Sequence, residues 1–179
     1  YVSYANCGLP YYIGGTINDR NSLFVQTVEG FTRRFNIDIR IKSEVTAIDT
    51  GSKTVSVRNL TDGKKYSESY DKLVISTGAE PIRPPIPGLE NKRILSLRNV
   101  PDMDKIKAYK DQHKPRKAVV IGCGCIGLEM VENLHDAGIE VCVVERSNQL
   151  IGPIDFPMAA MVHQHQKSKN ISLLLEENV

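Results

Sequence analysis

The chain has 179 residues, with 23 lysines and arginines against 21 aspartates and glutamates, 41% hydrophobic residues and 25% charged ones. That length accommodates one good core or two small ones, and the composition is that of an ordinary globular protein. The charges are interspersed, no apolar run reaches the length of a membrane span and no signal peptide is visible, so nucleic acid and membrane are excluded as expected partners.

The first informative stretch is Ser3-Tyr4-Ala5-Asn6-Cys7-Gly8-Leu9-Pro10-Tyr11-Tyr12-Ile13-Gly14-Gly15. Pro10 suits the first turn of a helix and Gly14-Gly15 suits its end, which puts Cys7 just before a helix N-terminus. Such a position favours the thiolate, the form that redox chemistry requires. There is no second cysteine within a few residues, so a redox-active Cys7 would pair with a sulfenate oxygen or an external thiol. Spacing alone leaves a plain buried thiol as the alternative.

Beyond it, Val28, Phe31 and Phe35 mark a helix that starts at Thr27, and Ile37-Asp38-Ile39-Arg40-Ile41 alternates as a strand does. Residues 44–49 and 54–60 alternate too, and Thr61-Asp62-Gly63-Lys64 supplies turn chemistry before residues 66–70, so a small antiparallel meander is expected. Leu73-Val74-Ile75-Ser76 reads as a buried strand that runs into Thr77-Gly78. The proline-rich run 81–88 is compatible with neither helix nor central strand and reads as an extended crossover. The expected division is residues 1–100 and 101–179. A helix over residues 102–111 leads into the second part.

That part opens with Ala118-Val119-Val120-Ile121, a continuous apolar run of the kind buried parallel strands show, followed by the glycine turn Gly122-Cys123-Gly124-Cys125-Ile126-Gly127. Ile126, Met130, Leu134 and Ala137 then recur at helical spacing up to Gly138, which suits a left-handed helix stop. Residues 141–144 form a second buried strand, and Glu145 stands at its end, about 20 residues past the glycines in a unit of roughly 30, the pattern of a dinucleotide fingerprint. Gly122 makes the tight turn, Gly124 lets backbone approach a pyrophosphate, and Gly127 lets helix and strand pack closely. The helix start holds phosphates, and Glu145 accepts from the ribose hydroxyls. Its charge favours NADH, while Arg146, which could accommodate a 2′-phosphate, keeps NADPH open. The rival is a glycine-lined turn in an α/β sheet that binds nothing.

Further on, Met158, Met161, Val162 and His165 are expected to line the core face of a helix, and residues 171–175 a strand. Of the cysteines, Cys123, Cys125 and Cys142 lie inside the dinucleotide unit, where burial is expected. The histidines are scattered and Cys123-Gly124-Cys125 stands alone, so no metal is expected. Reduced thiols and a cofactor-binding unit point to the cytoplasm.

Residues 1–15 resemble the single-cysteine active-site segment of coenzyme A-disulfide reductases, a branch of the flavin-dependent pyridine nucleotide-disulfide oxidoreductases. Residues 31–38, 75–81 and 120–129 are similar to the same family in the same order. The resemblance implies a Rossmann-like FAD/NAD(P)-binding α/β fold, with an incomplete flavin domain containing the meander and a nicotinamide domain. It implies that hydride passes from NADH to FAD and on to a mixed disulfide between Cys7 and coenzyme A. Ser3 and Asn6 match positions that contact coenzyme A. Thr77 and Gly78 would approach the flavin, and the Val45 backbone its adenine. Ile126 and Glu129 would join Gly122, Gly124, Gly127, Glu145 and Arg146 in the nicotinamide site. The family has an aromatic residue where Cys125 stands, which leaves gating of the nicotinamide pocket open. An internal fragment is expected, lacking the flavin's own glycine turn and the interface domain, from an enzyme that acts on a small-molecule disulfide as a homodimer. An NADH oxidase, peroxidase or polysulfide reductase is the first rival, and a nucleotide-binding fragment without turnover the second.

Overall fold

The computed structural model describes all 179 residues. In chain order, strand β1 (Ser3–Tyr4) leads through a 3-10 turn at Asn6–Gly8 into helix α1 (Leu9–Gly14), and a second 3-10 turn precedes β2 (Phe24–Gln26). Helix α2 (Val28–Phe35) and strands β3 (Ser43–Asp49), β4 (Thr54–Asn59) and β5 (Lys65–Ser69) follow. The last part runs α3 (Val100–His113), β6 (Lys117–Ile121), α4 (Cys125–Asp136), β7 (Glu140–Glu145), α5 (Phe156–Ser168) and β8 (Ser172–Leu175).

The chain divides into two compact units, Ser3–Val25 with Pro81–Val179, and Gln26–Glu80. This packing groups the residues differently from a single cut at residue 100. Leu9, Ile13 and Leu23 share one buried cluster with Val100, Met103, Val131, Val141 and Val143, so the Cys7 segment is built on the same core as the glycine turn. Gly14 makes that packing close, since a Cβ there would stand 2.8 Å from the Asn133 carbonyl oxygen.

In that unit β6, β7 and β8 form a parallel sheet in sequential order, with Val120 level with Val143 and Val143 with Leu173. Both crossovers step the same way, and right-handed connections then put α4 and α5 on the same face. Val141 and Val143 are buried on it. The expectation of strands buried on both faces is corrected: Val119, Ile121 and Leu174 on the opposite face are 62%, 53% and 46% exposed. α5 also presents a different face from the one expected. Met158, Met161 and His165 are exposed, and Ala159 and Gln166 are buried instead. Residues 159, 162, 163 and 166 share the spacing of one helical face, which periodicity in a helix carrying apolar residues on both sides does not single out.

The Gln26–Glu80 unit contains the expected meander, β3-β4-β5 antiparallel, and the helix after Thr27, whose side chain accepts from the Gly30 amide at 3.0 Å. Two expected strands are absent. Residues 37–41 and 73–76 have no strand structure, and Ile37, Ile41, Val74 and Ile75 are exposed. A strand exists by pairing its backbone groups with a neighbour, and neither segment is paired.

Candidate functional site

The glycine turn owes its shape to local chemistry. Gly122 leaves β6 at φ +82°, a conformation open to glycine, and its amide donates to the Val144 carbonyl of β7 at 2.9 Å. Gly127 has to lack a side chain, because a Cβ there would collide with the Gly122 carbonyl oxygen. Gly124 faces open space, with no heavy atom within 4 Å of where its Cβ would be. It is the N-cap of α4 and no side chain caps it. Leu128 is the first amide with an intrahelical partner, the Gly124 carbonyl at 2.9 Å. The leading amides therefore point out of the helix beside a backbone with room for an anion.

Glu145 comes back to this turn from the end of β7. Its Oε2 accepts from the Cys123 amide and its Oε1 from the Ser147 amide, each at 2.8 Å. Partial burial raises its pKa, but those two amides, the Ser147 side chain and the Arg146 charge together outweigh burial and hold the carboxylate below its ordinary value. Each oxygen keeps a further lone pair for a sugar hydroxyl. Ile126 is exposed, Glu129 lies half-buried on α4, and Arg146 is exposed. Cys123 is buried, and its thiol is pushed up to about 11 by burial first and then by the charges of Glu145 and Glu132. Cys125 is a correction: at the first position of α4 it is exposed, so burial does not account for it.

Cys7 is exposed in the 3-10 turn that runs directly into α1. Both flanks of that turn are tied. The Ala5 amide donates to the Leu23 carbonyl at 2.7 Å and the Gly8 amide to the Ala5 carbonyl at 2.9 Å, while a Cβ on Gly8 would approach Leu23 to 2.7 Å. The Leu23 segment is itself anchored, because Arg20 makes two 2.8 Å hydrogen bonds to Asp104 of α3. Ser3 lies in β1, and Asn6, beside Cys7, is exposed. Ser3, Asn6, Cys7 and the whole glycine turn with Glu145 belong to one compact unit.

Val45, Thr77 and Gly78 belong to the other unit. Val45 is exposed at an irregularity in the β3–β4 register, and Thr77-Gly78 is exposed loop with Gly78 at φ +75°. None of them is directly followed in the chain by a glycine turn that opens a helix, so on their own these residues supply no cradle for a dinucleotide's phosphates. Sequence reading also missed the Ser147 amide as a partner of Glu145 and the Ile151 amide as a partner of the turn. No local pattern signals either one, because the side-chain-to-backbone turns legible in sequence are those of Ser, Thr, Asn and Asp, and position 145 is a Glu.

The family model described as pyridine nucleotide-disulphide oxidoreductase matches residues 1–179. The chain belongs to that family. It is similar to a coenzyme A disulfide reductase of Staphylococcus haemolyticus, 36% identical over 99% of this chain and 40% of the relative. It is also similar to an NADH oxidase of Methanocaldococcus jannaschii, 34% identical over 98% of this chain and 39% of the relative. Among solved structures, that of reduced Bacillus anthracis CoADR-RHD superposes with a TM-score of 0.93 and 54% identity, covering 100% of this chain and 32% of that one. The chain thus spans about 40% of the length of the curated relatives it matches. The pyridine nucleotide-disulphide oxidoreductase fold is α/β with Rossmann-like units, and the parallel β6-β7-β8 sheet with its helical crossovers agrees with it. No helix is long and apolar enough to cross a membrane.

Proposed function

We propose that this chain is the thiol-bearing and nucleotide-binding part of a flavin-dependent NAD(P)H:disulfide oxidoreductase, and specifically of a coenzyme A-disulfide reductase. The observation that carries the reading is an exposed Cys7, presented by a pinned turn, in the same compact unit as an open glycine turn with a carboxylate at its rim. The 54% identity to CoADR-RHD favours coenzyme A as the thiol partner.

Gly122, Gly124, Ile126 and Gly127 would hold the pyrophosphate of NADH against the α4 N-terminus, Glu145 would accept from the ribose, and Glu129 would border the nicotinamide. Bound NADH supplies the hydride. Glu145 favours NADH over NADPH because its carboxylate, tethered by two amides, cannot swing away from a 2′-phosphate. The Cys7 thiolate attacks one sulfur of a coenzyme A disulfide, forming a Cys7–coenzyme A mixed disulfide and releasing one coenzyme A thiolate. Two electrons, ultimately from NADH, then cleave the mixed disulfide and release the second coenzyme A. Ser3 and Asn6 would contact the coenzyme A. Family membership implies FAD as well, near Val45, Thr77 and Gly78. Those residues offer its phosphates no cradle of their own. A homodimer in the cytoplasm acting on small-molecule disulfides completes the proposal, with no metal.

In this reading the enzyme rests as the Cys7–coenzyme A mixed disulfide, so treating the purified enzyme with excess NADH and quantifying free coenzyme A tests it. One equivalent released per Cys7, together with a flavin absorption spectrum, is the expected result. The similarity to an NADH oxidase favours a second reading, in which Cys7 cycles through sulfenic acid and no coenzyme A appears. Nucleotide binding with neither flavin nor thiol release would leave a binding module without turnover.

A further inference from the structure

Cys123, between the first two glycines of the turn, is held at both ends of its backbone. Its amide donates to Glu145, and its carbonyl accepts from the Ile151 amide at 2.9 Å. Ile151 belongs to the segment between β7 and α5 and stands at φ +51°, a region that a β-branched side chain occupies only when its surroundings impose it. The restraint is one residue away. Leu150 is fully buried, and its amide donates to Nε2 of His163 on α5 at 3.0 Å. Accepting at Nε2 places the ring proton on Nδ1. The Phe156 and imidazole rings stand nearly perpendicular with centroids 6.3 Å apart, and burial, seconded by the Lys167 charge, lowers the His163 pKa and favours the accepting form.

We propose that His163 is a positioning residue for the dinucleotide-binding turn, acting through Leu150 and Ile151 on the Cys123 peptide beside Gly124. Without an acceptor at position 163, the buried Leu150 amide has no partner, the Ile151 backbone relaxes toward negative φ, and the Cys123 carbonyl loses its donor. The turn then samples more conformations, and a dinucleotide has to order it on binding, which weakens affinity although no contact with the nucleotide has been removed. The proposal rests on the reading that a nicotinamide dinucleotide binds at Gly122–Gly127.

The test compares wild type with His163→Leu, which cannot accept, His163→Asn, whose side chain is too short to reach Leu150, and His163→Gln, whose Oε1 can replace Nε2. NADH affinity is measured by titration, and amide hydrogen exchange is followed at Leu150 and Ile151. The Leu and Asn variants should bind NADH about tenfold more weakly, the size expected when part of the turn has to be ordered on binding, and exchange faster at both amides. His163→Gln should recover to within about threefold of wild type. If His163→Leu does not fold, the Asn and Gln pair carries the same comparison. Wild-type affinity in a variant whose Leu150 and Ile151 amides have become labile would overturn the proposal. So would a Gln variant as weak as the Asn one. A wild-type chain that binds no NADH would refute the assignment of the glycine turn itself, which is a separate outcome.

Discussion

Replacing Gly127 by alanine should cost folding stability, whereas replacing Gly124 should cost nucleotide binding, because the two glycines are small for different reasons. A Cβ on Gly127 would overlap the Gly122 carbonyl oxygen and come within 3.2 Å of its carbon, and this backbone is tied by the Gly122–Val144 hydrogen bond. Overpacking of this kind costs about 1 to 3 kcal/mol. Alanine's better helix propensity offsets up to about 1 kcal/mol of that. The clash is with backbone, which cannot rotate aside, so the upper part of that range applies; the net loss is then about 1 to 3 kcal/mol, or a fall of roughly 2 to 12 °C in melting temperature for a chain of this size. Gly124 has no neighbour within 4 Å and a φ of −72° that alanine adopts freely. Its replacement should change stability by less than about 1 kcal/mol while weakening NADH binding tenfold or more, since the methyl occupies the pyrophosphate's approach. Thermal unfolding and NADH titration on both variants decide the matter. A Gly127→Ala chain that melts at or above wild type would refute the packing argument, and a Gly124→Ala chain with unchanged NADH affinity would refute the approach argument.

The Glu145 carboxylate should contribute pH-dependent stability. Its folded pKa lies below the unfolded value of about 4.3, so the contribution is present above that pH and is lost as the pH falls through the folded value. Melting curves between about pH 3 and 6 should therefore fall less steeply for Glu145→Gln than for wild type, and the same substitution should weaken NADH by about 1 to 3 kcal/mol. Alkylation followed by mass spectrometry should label the exposed Cys7 and Cys125 first and Cys123 last, because Cys123 is buried with its thiol near 11; early labelling of Cys123 would contradict that order. Asp104→Asn should destabilise the chain by at most about 1 kcal/mol, less at high salt, since the Arg20–Asp104 pair is part-exposed. A salt-independent loss larger than that would mean that the pair holds the Cys7 segment through more than charge.

The glycine turn could be read from sequence because its requirements are local. A positive φ at Gly122 and a forbidden Cβ at Gly127 leave glycine as the residue that fits, whatever lies around them. Caps and turns behaved likewise at Thr27, at Gly15 and at residues 61–64. Burial of an apolar strand is a different kind of property, since it depends on what covers it. Ala118–Ile121 has the same continuous apolar character as Leu73–Ser76, yet the first is a strand because β7 supplies its hydrogen bonds and the second, without a neighbour, is exposed loop. Alternation in 37–41 met the same limit. The brace behind the turn lay further out of reach. The partner of the Leu150 amide is a ring nitrogen 13 residues away on α5, and the strain at Ile151 that makes this bond matter appears only once the backbone is closed against Cys123. Periodicity places His163 on a helix and can suggest which face is apolar, but a side chain whose task is to accept one backbone proton carries no pattern of its own. The turn that would hold a nucleotide is written in six consecutive residues, while the contacts that keep it in shape come from β7, from the segment after it and from α5.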